Sequence, residues 1–180
     1  MNVTSASKLL AYVLRHQPES VGLTLDAAGW VPIDTLLAAL AAHGVDRDLL
    51  DRVVAGTDKV RFEVADGRIR AAQGHSVPVD LGLDPVVPPP VLFHGTATRY
   101  LAGIRAHGLR PGRRRHVHLS ADEATALRVG ARHGKPVVLR IDAAGLHAAG
   151  HPFYLAANGV WLTDHVSPQW IPLRTLADGE

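Results

Sequence analysis

A proline-rich segment near the middle of the chain limits the possible folds more than any other feature. Residues 84–91 read DPVVPPPV, and four of them are prolines. Because proline has no backbone N–H and its ring fixes φ, this segment is excluded from a helix or a central strand. It should be an extended connection between two parts of a chain of 180 residues. We therefore predict one domain over residues 1–84, a linker over 85–90 and a second domain over 91–180.

Composition excludes several classes of protein. Hydrophobic residues make up 47% of the chain, which is enough for a buried core. The chain has no cysteine, which excludes disulfides, thiolate zinc sites and a cysteine nucleophile and fits a reducing compartment. The first ten residues, MNVTSASKLL, lack the basic and apolar regions of a signal peptide, and no run of about 18 apolar residues occurs. We expect a cytoplasmic, monomeric protein without a membrane span.

The charge is distributed unevenly between the two predicted domains. Residues 1–84 hold 8 Lys and Arg against 11 Asp and Glu, a net −3, whereas residues 85–180 hold 11 against 6, a net +5. Such a chain is not a uniformly basic binder of nucleic acid. Any polyanion must therefore be bound through individually placed arginines.

The first domain has the pattern of three helices followed by a hairpin. Thr4 or Ser5 is predicted to cap the first helix, which Pro18 stops, and Asp34 and Asp46 are predicted to cap the next two. The sequence VRFEV–ADG–RIRAA then predicts two short strands around an Asp-Gly turn. Three helices and a hairpin are the order of a winged helix, a helix-turn-helix variant.

The second domain has a strand-rich α+β pattern. Strands are predicted at VLFHGT, HVHLS, PVVLRID, AANGVWLT and HVSPQWI. Two helices are predicted, TRYLAGIRAHG and a second one opened by a capping box of Ser120 and Glu123. No G-x-G-x-x-G motif follows a strand and no Walker lysine motif is present, so neither a Rossmann nor a P-loop nucleotide site is supported.

Three arginine-containing stretches could carry chemistry. Arg15 and His16 lie side by side at the predicted end of the first helix, where they suit an anion but also suit an ordinary solvated helix end. The run GRRRHVHLS, residues 112–120, is either a solvated charged loop or the source of an arginine that binds phosphate. Arg61 and Phe62 are neighbours in a predicted strand, so their side chains point to opposite faces. Arg61 therefore lies on the surface if Phe62 belongs to the core.

The histidines raise the question of a metal. His116 and His118 could face one side of a strand, and His94 lies near the end of another. However, no acidic third ligand is near them in sequence and no H-E-x-x-H motif occurs. We therefore predict no metal site.

Several motifs together resemble the RNA 2′-phosphotransferase family, also called tRNA 2′-phosphotransferases. They are LRH-x-P, RF, QGHS, HGT and VHLS, which occur here in the family's order and spacing over about residues 7–171. The resemblance implies a winged-helix RNA-binding lobe joined to an ADP-ribosyltransferase-like lobe. It also implies that NAD is consumed as a co-substrate, that no metal is needed, and that the partner is a tRNA-like RNA with an internal 2′-phosphate, as left by splicing.

The resemblance implies a two-step reaction and four catalytic residues. The RNA 2′-phosphate is ADP-ribosylated with loss of nicotinamide, and the intermediate then gives RNA with a 2′-hydroxyl and ADP-ribose 1″,2″-cyclic phosphate. The family's Arg, His, Arg, Arg tetrad corresponds to Arg15, His16, Arg61 and Arg114. The fourth is selected by the pattern Arg, any residue, His, Val, His, and its neighbours Arg113 and Arg115 remain alternatives.

The resemblance also implies an NAD-binding pocket in the second lobe. Its residues are found in the HGT and HLS segments: His94, Gly95, Thr96, His118, Leu119 and Ser120. His94 is expected to bind a ribose hydroxyl, and the Gly95 backbone to approach the nicotinamide amide at a position without Cβ.

Two other functions fit parts of the sequence. A mono-ADP-ribosyltransferase that modifies a macromolecule and stops after one step would need the same pocket but not the Arg15–His16 pair. Transferases that modify proteins often carry a glutamate on a later strand, whereas the comparable stretch here, AANGVWLT, has no acid. A non-catalytic winged-helix nucleic-acid binder would need basic helices, but Arg47 and Arg52 are outnumbered by four aspartates over residues 34–52.

Overall fold

The protein is a mixed α+β structure, seen in a computed structural model that describes residues 1–56 and 60–172. These residues form six α-helices and eight short strands, and the strands make three small antiparallel sheets. The chain divides into two units, Met1–Gly82 and Leu83–Glu180. Within the described ranges, no helix has both the length and the apolar character needed to cross a membrane.

The first unit combines three helices with a three-stranded sheet. Its elements are α1 (Val3–Arg15), β1 (Val31–Pro32), α2 (Ile33–Leu40), α3 (Arg47–Ala55), β2 (Phe62–Ala65) and β3 (Arg68–Ala71). The sheet order is β1-β3-β2. Asp66 and Gly67 connect β2 to β3 with φ of 50° and 70°, which are the positive values that a tight hairpin turn requires. The predicted hairpin is confirmed, and β1 is added to its other edge.

The core of the first unit follows from the apolar spacing of its helices. Leu10, Val13 and Leu14 of α1 are fully buried, and they lie on one face because they are three and four residues apart. Phe62 is also buried, whereas Arg61 before it is exposed, as the alternation predicted. Burying each large apolar side chain contributes about 1.5–3 kcal/mol, so this cluster stabilises the unit.

Two of the three predicted helix caps in this unit are wrong. Asn2 caps α1 by accepting a hydrogen bond from the N–H of Ser5 at 2.9 Å, and Thr4 lies inside the first turn. Asp34 likewise lies inside the first turn of α2 rather than before it. Asp46 does cap α3, accepting a hydrogen bond of 2.8 Å from a backbone N–H in the first turn.

The second unit contains two further antiparallel sheets and three helices. Its elements are β4 (Val91–Ala97), α4 (Leu101–His107), β5 (Val117–Leu119), α5 (Glu123–Gly130), β6 (Pro136–Asp142), α6 (Ala143–Ala148), β7 (Tyr154–Leu155) and β8 (Trp161–Thr163). Strand β4 pairs with β6 along its full length, and the other sheet has the order β5-β8-β7. Phe93 and Ser120 form an isolated bridge that joins β4 to the end of β5.

Some sequence predictions for this unit are corrected. Asp122 caps α5, accepting a hydrogen bond of 2.7 Å from the N–H of Thr125, so the capping box at Ser120 is not formed. The HVSPQWI segment is not a full strand, because Val166 makes only an isolated bridge and Pro168–Trp170 is a 3₁₀ turn. Helix α6 was not predicted.

The proline-rich connection is extended, and it is hydrogen-bonded to the second unit. Its residues have no regular secondary structure, in agreement with the prediction. The N–H of Val86 donates to the carbonyl of Phe153 at 2.8 Å, and the carbonyl of Pro90 accepts from Ala143 at 3.1 Å. Pro90 therefore leads directly into β4, and its carbonyl pairs with backbone N–H groups at the start of α6 that have no partner within that helix.

Candidate active site

The end of α1 brings Arg15 and His16 against a loop from a distant part of the sequence. His16 is the C-cap residue that follows the helix, and its N–H donates to the carbonyl of Tyr12 at 2.9 Å. The carbonyl of Arg15 accepts hydrogen bonds from the N–H groups of Ser76 at 2.9 Å and Val77 at 3.3 Å. The loop that follows β3 thus satisfies a carbonyl that the helix end leaves without an intrahelical partner.

Arg61 reaches the same helix from the entrance of β2. Its Nη1 donates to the Oγ of Ser7, a buried residue of α1, at 3.1 Å. Arg15 Nη2 in turn donates to the carbonyl of Arg61 at 3.4 Å. Gly74, with φ of 90°, lies beside the Arg15 side chain, since a Cβ built on it would be 3.8 Å from the Arg15 Cδ. The structure therefore brings Arg15, His16 and Arg61 together.

Ser76 orients the imidazole of His16. The His16 Nδ1 lies 2.9 Å from the Ser76 Oγ, and that hydroxyl donates to the carbonyl of Arg15 at 3.5 Å. In the shorter contact either group can donate, depending on the tautomer of His16. Ser76 was not among the predicted site residues. The signal was the QGHS motif immediately after the hairpin, at residues 73–76.

In the second unit, His94 is held in its neutral form. Its Nδ1 lies 3.0 Å from the backbone carbonyl of His118, and since a carbonyl only accepts, Nδ1 carries the proton. Burial lowers the pKa of His94 below its usual value, and the hydrogen bond to His118 only partly offsets this effect, while His133 lowers the pKa further. The second ring nitrogen of His94 is therefore an acceptor near neutral pH.

The HGT and HLS segments lie on neighbouring strands. The N–H of Phe93 donates to the carbonyl of Ser120 at 2.9 Å, and the N–H of Ser120 donates back at 2.7 Å. Residues 94–96 and 118–120 are thereby placed side by side. Thr96 and Leu119 are almost completely buried, and Leu119 belongs to the hydrophobic core, so its side chain is turned away from any ligand.

Gly95 is required by helix packing. A Cβ built on Gly95 would collide with the carbonyl oxygen of Ala126 in α5, and it would lie 2.8 Å from the backbone nitrogen of Gly130. A Cβ on Gly130 would in turn lie 2.6 Å from the carbonyl oxygen of Thr96. The absence of a Cβ at Gly95, which the sequence interpretation related to nicotinamide, has its physical cause in this close contact of α5 with β4.

His118 is a neutral imidazole with one unsatisfied nitrogen. Burial lowers its pKa to about 3, and the positive charge of Arg114 contributes to the same effect. Its Nε2 is buried and finds no hydrogen-bond partner among the described residues. Native proteins seldom leave such an atom unsatisfied, so this nitrogen is a candidate ligand-binding group.

Arg114 is the arginine of the GRRRHVHLS run whose charge acts on His118. Its side chain is largely exposed, yet partial burial of the guanidinium lowers its pKa. It remains charged at neutral pH because arginine begins from a very high value. The sequence left Arg113 and Arg115 as alternatives to Arg114, and which of the three binds phosphate stays a prediction.

The residues around the end of α1 and the residues of the second unit described above have a common chemical character. Each contains guanidinium groups, which can bind phosphate in a bidentate manner, and imidazoles, which can exchange a proton. Among residues 1–56 and 60–172, no group of three His, Asp or Glu side chains is arranged to hold a metal ion. The class indicated is an enzyme that binds a phosphorylated ligand and transfers protons or phosphoryl groups.

Comparison with known proteins identifies the family. The sequence model described as RNA 2′-phosphotransferase, Tpt1/KptA family, matches residues 2–165. The chain is 62% identical to a protein of Agrobacterium fabrum over 98% of this chain and 97% of the relative. It is 59% identical to a protein of Streptomyces coelicolor over 92% of each chain, and 58% identical to one of Hahella chejuensis over 94% and 93%. All three relatives carry the name probable RNA 2′-phosphotransferase.

The chain belongs to the RNA 2′-phosphotransferase, Tpt1/KptA family. It is therefore a transferase enzyme of that type, and the resemblance carried by the sequence motifs is confirmed. An RNA substrate follows from the family, and membership implies the use of NAD.

Proposed function

We propose that this enzyme removes an internal 2′-phosphate from a tRNA-like RNA in two steps, with NAD⁺ as the second substrate. The products are RNA with a 2′-hydroxyl, nicotinamide and ADP-ribose 1″,2″-cyclic phosphate. The observation that carries this proposal is the group of Arg15, His16, Arg61 and Ser76, because an ADP-ribosyltransferase that stops after one step has no use for it.

The residues of the second unit fit NAD⁺. His94 offers an acceptor nitrogen, and His118 offers a buried nitrogen that lacks a partner among the described residues. Both suit ribose hydroxyls, which donate hydrogen bonds and do not require a charged protein group. Residues 94–96 and 118–120 would form the two walls, with Gly95, Thr96 and Leu119 contributing backbone atoms. When bound, NAD⁺ supplies an electrophilic ribose carbon and the adjacent hydroxyl.

The arginines have the task of holding the phosphate and neutralising its charge. In the first step the RNA 2′-phosphate must be positioned for attack, and Arg15 is assigned this task because its guanidinium is fixed beside the end of α1. In the second step charge builds up on the phosphate oxygens, and Arg61 and Arg114 stabilise it electrostatically.

His16 has the task of moving a proton in the second step. Histidine is the side chain that most readily gains and loses a proton near neutral pH. With Nδ1 bonded to Ser76, the other ring nitrogen is the one to accept the proton of the ribose hydroxyl or donate to the leaving RNA oxygen. Ser76 thus acts as a positioning residue.

The units have separate roles in this proposal. Residues 1–84 form a winged-helix RNA-binding lobe, supported by the helix order and the hairpin with its third strand β1. Residues 91–180 form an ADP-ribosyltransferase-like, NAD-binding lobe, supported by the adjacent HGT and HLS strands. Residues 85–90 connect them, and the enzyme acts as a monomer.

Product analysis tests the proposed reaction. The enzyme is incubated with NAD⁺ and an oligonucleotide that carries one internal 2′-phosphate. We expect nicotinamide, dephosphorylated RNA and the cyclic phosphate in equal amounts, and no release of nicotinamide with the unphosphorylated oligonucleotide. A stable ADP-ribosylated RNA as the final product would support the one-step transferase, and an absence of any product would contradict both reactions.

We also predict that NAD⁺ raises the melting temperature in the absence of RNA. The proposed pocket residues lie within one unit, so the ligand stabilises the folded state without a second partner. At about 100 times its dissociation constant a ligand adds about 2.7 kcal/mol, which raises Tm by several degrees. A thermal-shift titration measures this, with guanosine triphosphate as the control nucleotide. An unchanged Tm up to millimolar NAD⁺ would argue against the pocket.

A further inference from the structure

One face of α1 carries a basic residue and an aromatic residue in line with His16. Lys8, Tyr12 and His16 are four residues apart, so they lie on one side of the helix at successive turns, about 6 Å apart along its axis. Lys8 is exposed, Tyr12 is 46% exposed, and His16 is half-buried. Tyr12 and Lys8 therefore extend from His16 along the protein surface.

The ring of Tyr12 is exposed but fixed in position. Its hydroxyl donates to the Oε1 of Gln17 at 2.6 Å, and its ring centroid lies 6.4 Å from that of His16. A single exposed aromatic residue is ordinary on a protein surface. A ring held by a hydrogen bond beside the proposed catalytic histidine differs, because a base that stacks on it does not first have to order the side chain.

Helix α1 itself brings no negative charge to this face. Helix α1 contains no Asp or Glu between Val3 and Arg15. The salt bridges found in the described part of the chain do not involve Lys8. An exposed ammonium group near an exposed ring is the combination that binds single-stranded nucleic acid, in which bases stack on aromatic side chains and phosphates pair with cations.

We propose that Lys8 and Tyr12 form a binding track for single-stranded RNA next to the 2′-phosphate. Tyr12 stacks on the base of a nucleotide that flanks the phosphorylated one, and Lys8 pairs with the phosphodiester one step further away. This proposal rests on the proposed function, since it takes the phosphate to be bound near His16. It assigns the substrate a single-stranded segment at the reaction site, because a base inside a duplex is not free to stack on a side chain.

The test is a double-mutant cycle between the protein and the RNA. Binding is measured by fluorescence anisotropy without NAD⁺, so that no turnover occurs. The probes are a short 2′-phosphorylated oligoribonucleotide and two copies that lack the base on the 5′ or the 3′ side of the phosphorylated nucleotide. Tyr12→Leu should weaken binding of the complete oligonucleotide roughly 5- to 150-fold, the range for losing one stacked base. One of the two abasic probes should lose this dependence on Tyr12, whereas Tyr12→Phe should bind nearly as wild type.

Tyr100→Leu is the matched control, because Tyr100 is also 46% exposed but lies in the other unit. It should bind all three probes as wild type.

For Lys8, the slope of log affinity against log salt should fall by about 0.7 in Lys8→Ala, the value for one phosphate contact with a single strand. Lys135→Ala, which removes another exposed lysine, should leave the slope unchanged. Leucine is a good helix former, so Tyr12→Leu should retain α1, which circular dichroism verifies.

Three results would overturn the track. The first is an equal loss for complete and abasic probes, which would mean that no base contacts Tyr12. The second is wild-type affinity in Tyr12→Leu, and the third is an absence of oligonucleotide binding by the wild-type protein up to millimolar concentration. The proposed reaction is judged separately, since product analysis uses the wild-type enzyme. If the products form but the effect of Tyr12→Leu does not depend on a flanking base, the track alone is refuted. If that dependence is found but no products form, the reaction alone is refuted.

Discussion

Replacing Arg61 or His16 with alanine is expected to slow the second step of the reaction by about 10² to 10³, the loss found when one donor to a developing negative charge is removed. Transesterification needs the charge on phosphorus neutralised and a proton taken from the ribose hydroxyl, whereas nicotinamide loss depends more on the NAD⁺ pocket. Both variants should therefore accumulate RNA that carries the 2′-phospho-ADP-ribose adduct. Arg15→Ala should slow both steps, because Arg15 mainly positions the incoming phosphate.

A single-turnover time course on labelled 2′-phosphorylated RNA resolves substrate, adduct and product. Arg52→Ala is the matched control, since it removes an exposed guanidinium of α3 that bonds only weakly to the Asp48 carbonyl, at 3.4 Å. It should retain wild-type rates. Melting curves should accompany Arg61→Ala, because Arg61 also donates to the Ser7 hydroxyl.

The time course tests two claims separately: that His16 and Arg61 are catalytic, and that they act mainly in the second step. Wild-type rates of both steps in His16→Ala and Arg61→Ala would refute the catalytic assignment and return the α1 terminus to a solvated helix end. Slow variants that never show adduct would leave the phosphate-binding role intact and refute the division of tasks between the two steps.

Gly95→Ala is expected to destabilise the second unit by about 4 kcal/mol or more. The new Cβ would meet the Ala126 carbonyl and the Gly130 nitrogen, and backbone atoms cannot rotate away as a side chain would. Alanine would therefore force α5 away from β4, at a cost above the usual 1–3 kcal/mol for overpacking. This cost is large against a total free energy of unfolding of about 5–15 kcal/mol. Chemical denaturation monitored by circular dichroism measures the loss.

Gly103→Ala provides the control for this substitution. Gly103 lies within α4, and a Cβ built there meets nothing within 4 Å. Alanine should be neutral or stabilise the protein by up to about 1 kcal/mol, because it has the higher helix propensity. A Gly95→Ala protein as stable as Gly103→Ala would refute the close-packing explanation. NAD⁺ binding by such a protein would then have to be examined for the role first expected of this glycine.

Helix caps show where local sequence rules stop being sufficient. Asp46 was correctly predicted because it is the polar residue that directly precedes an apolar-periodic segment. Ser120 was predicted on the same rule, but its backbone is already paired with Phe93, and Asp122 takes the cap instead. The sequence offers several residues able to cap, and the strand that precedes the helix decides which one is free to do so.

The C-terminal part of the second unit shows a second limit. HVSPQWI has the β-branched and aromatic residues of a strand, yet only Val166 forms a bridge, and Pro168–Trp170 turns. Helix α6 has six residues, too few for a periodic pattern to reveal it. The part of the predicted second domain beyond residue 172 lies outside the described residues.

The sequence by itself determined that residues 85–90 lie outside helices and strands, and it determined the hairpin at Asp66-Gly67, the strand VLFHGT and, through its motifs, the family. Each of these depends on a property of contiguous residues: proline geometry, positive φ in a turn, or a run of apolar side chains. Tertiary structure alone decided that Ser76 bonds to His16, that Arg61 reaches Ser7, and that Gly95 is a packing position against α5. These contacts join residues 31 to 60 positions apart in the chain, and only the packing of the cores sets the distances between them.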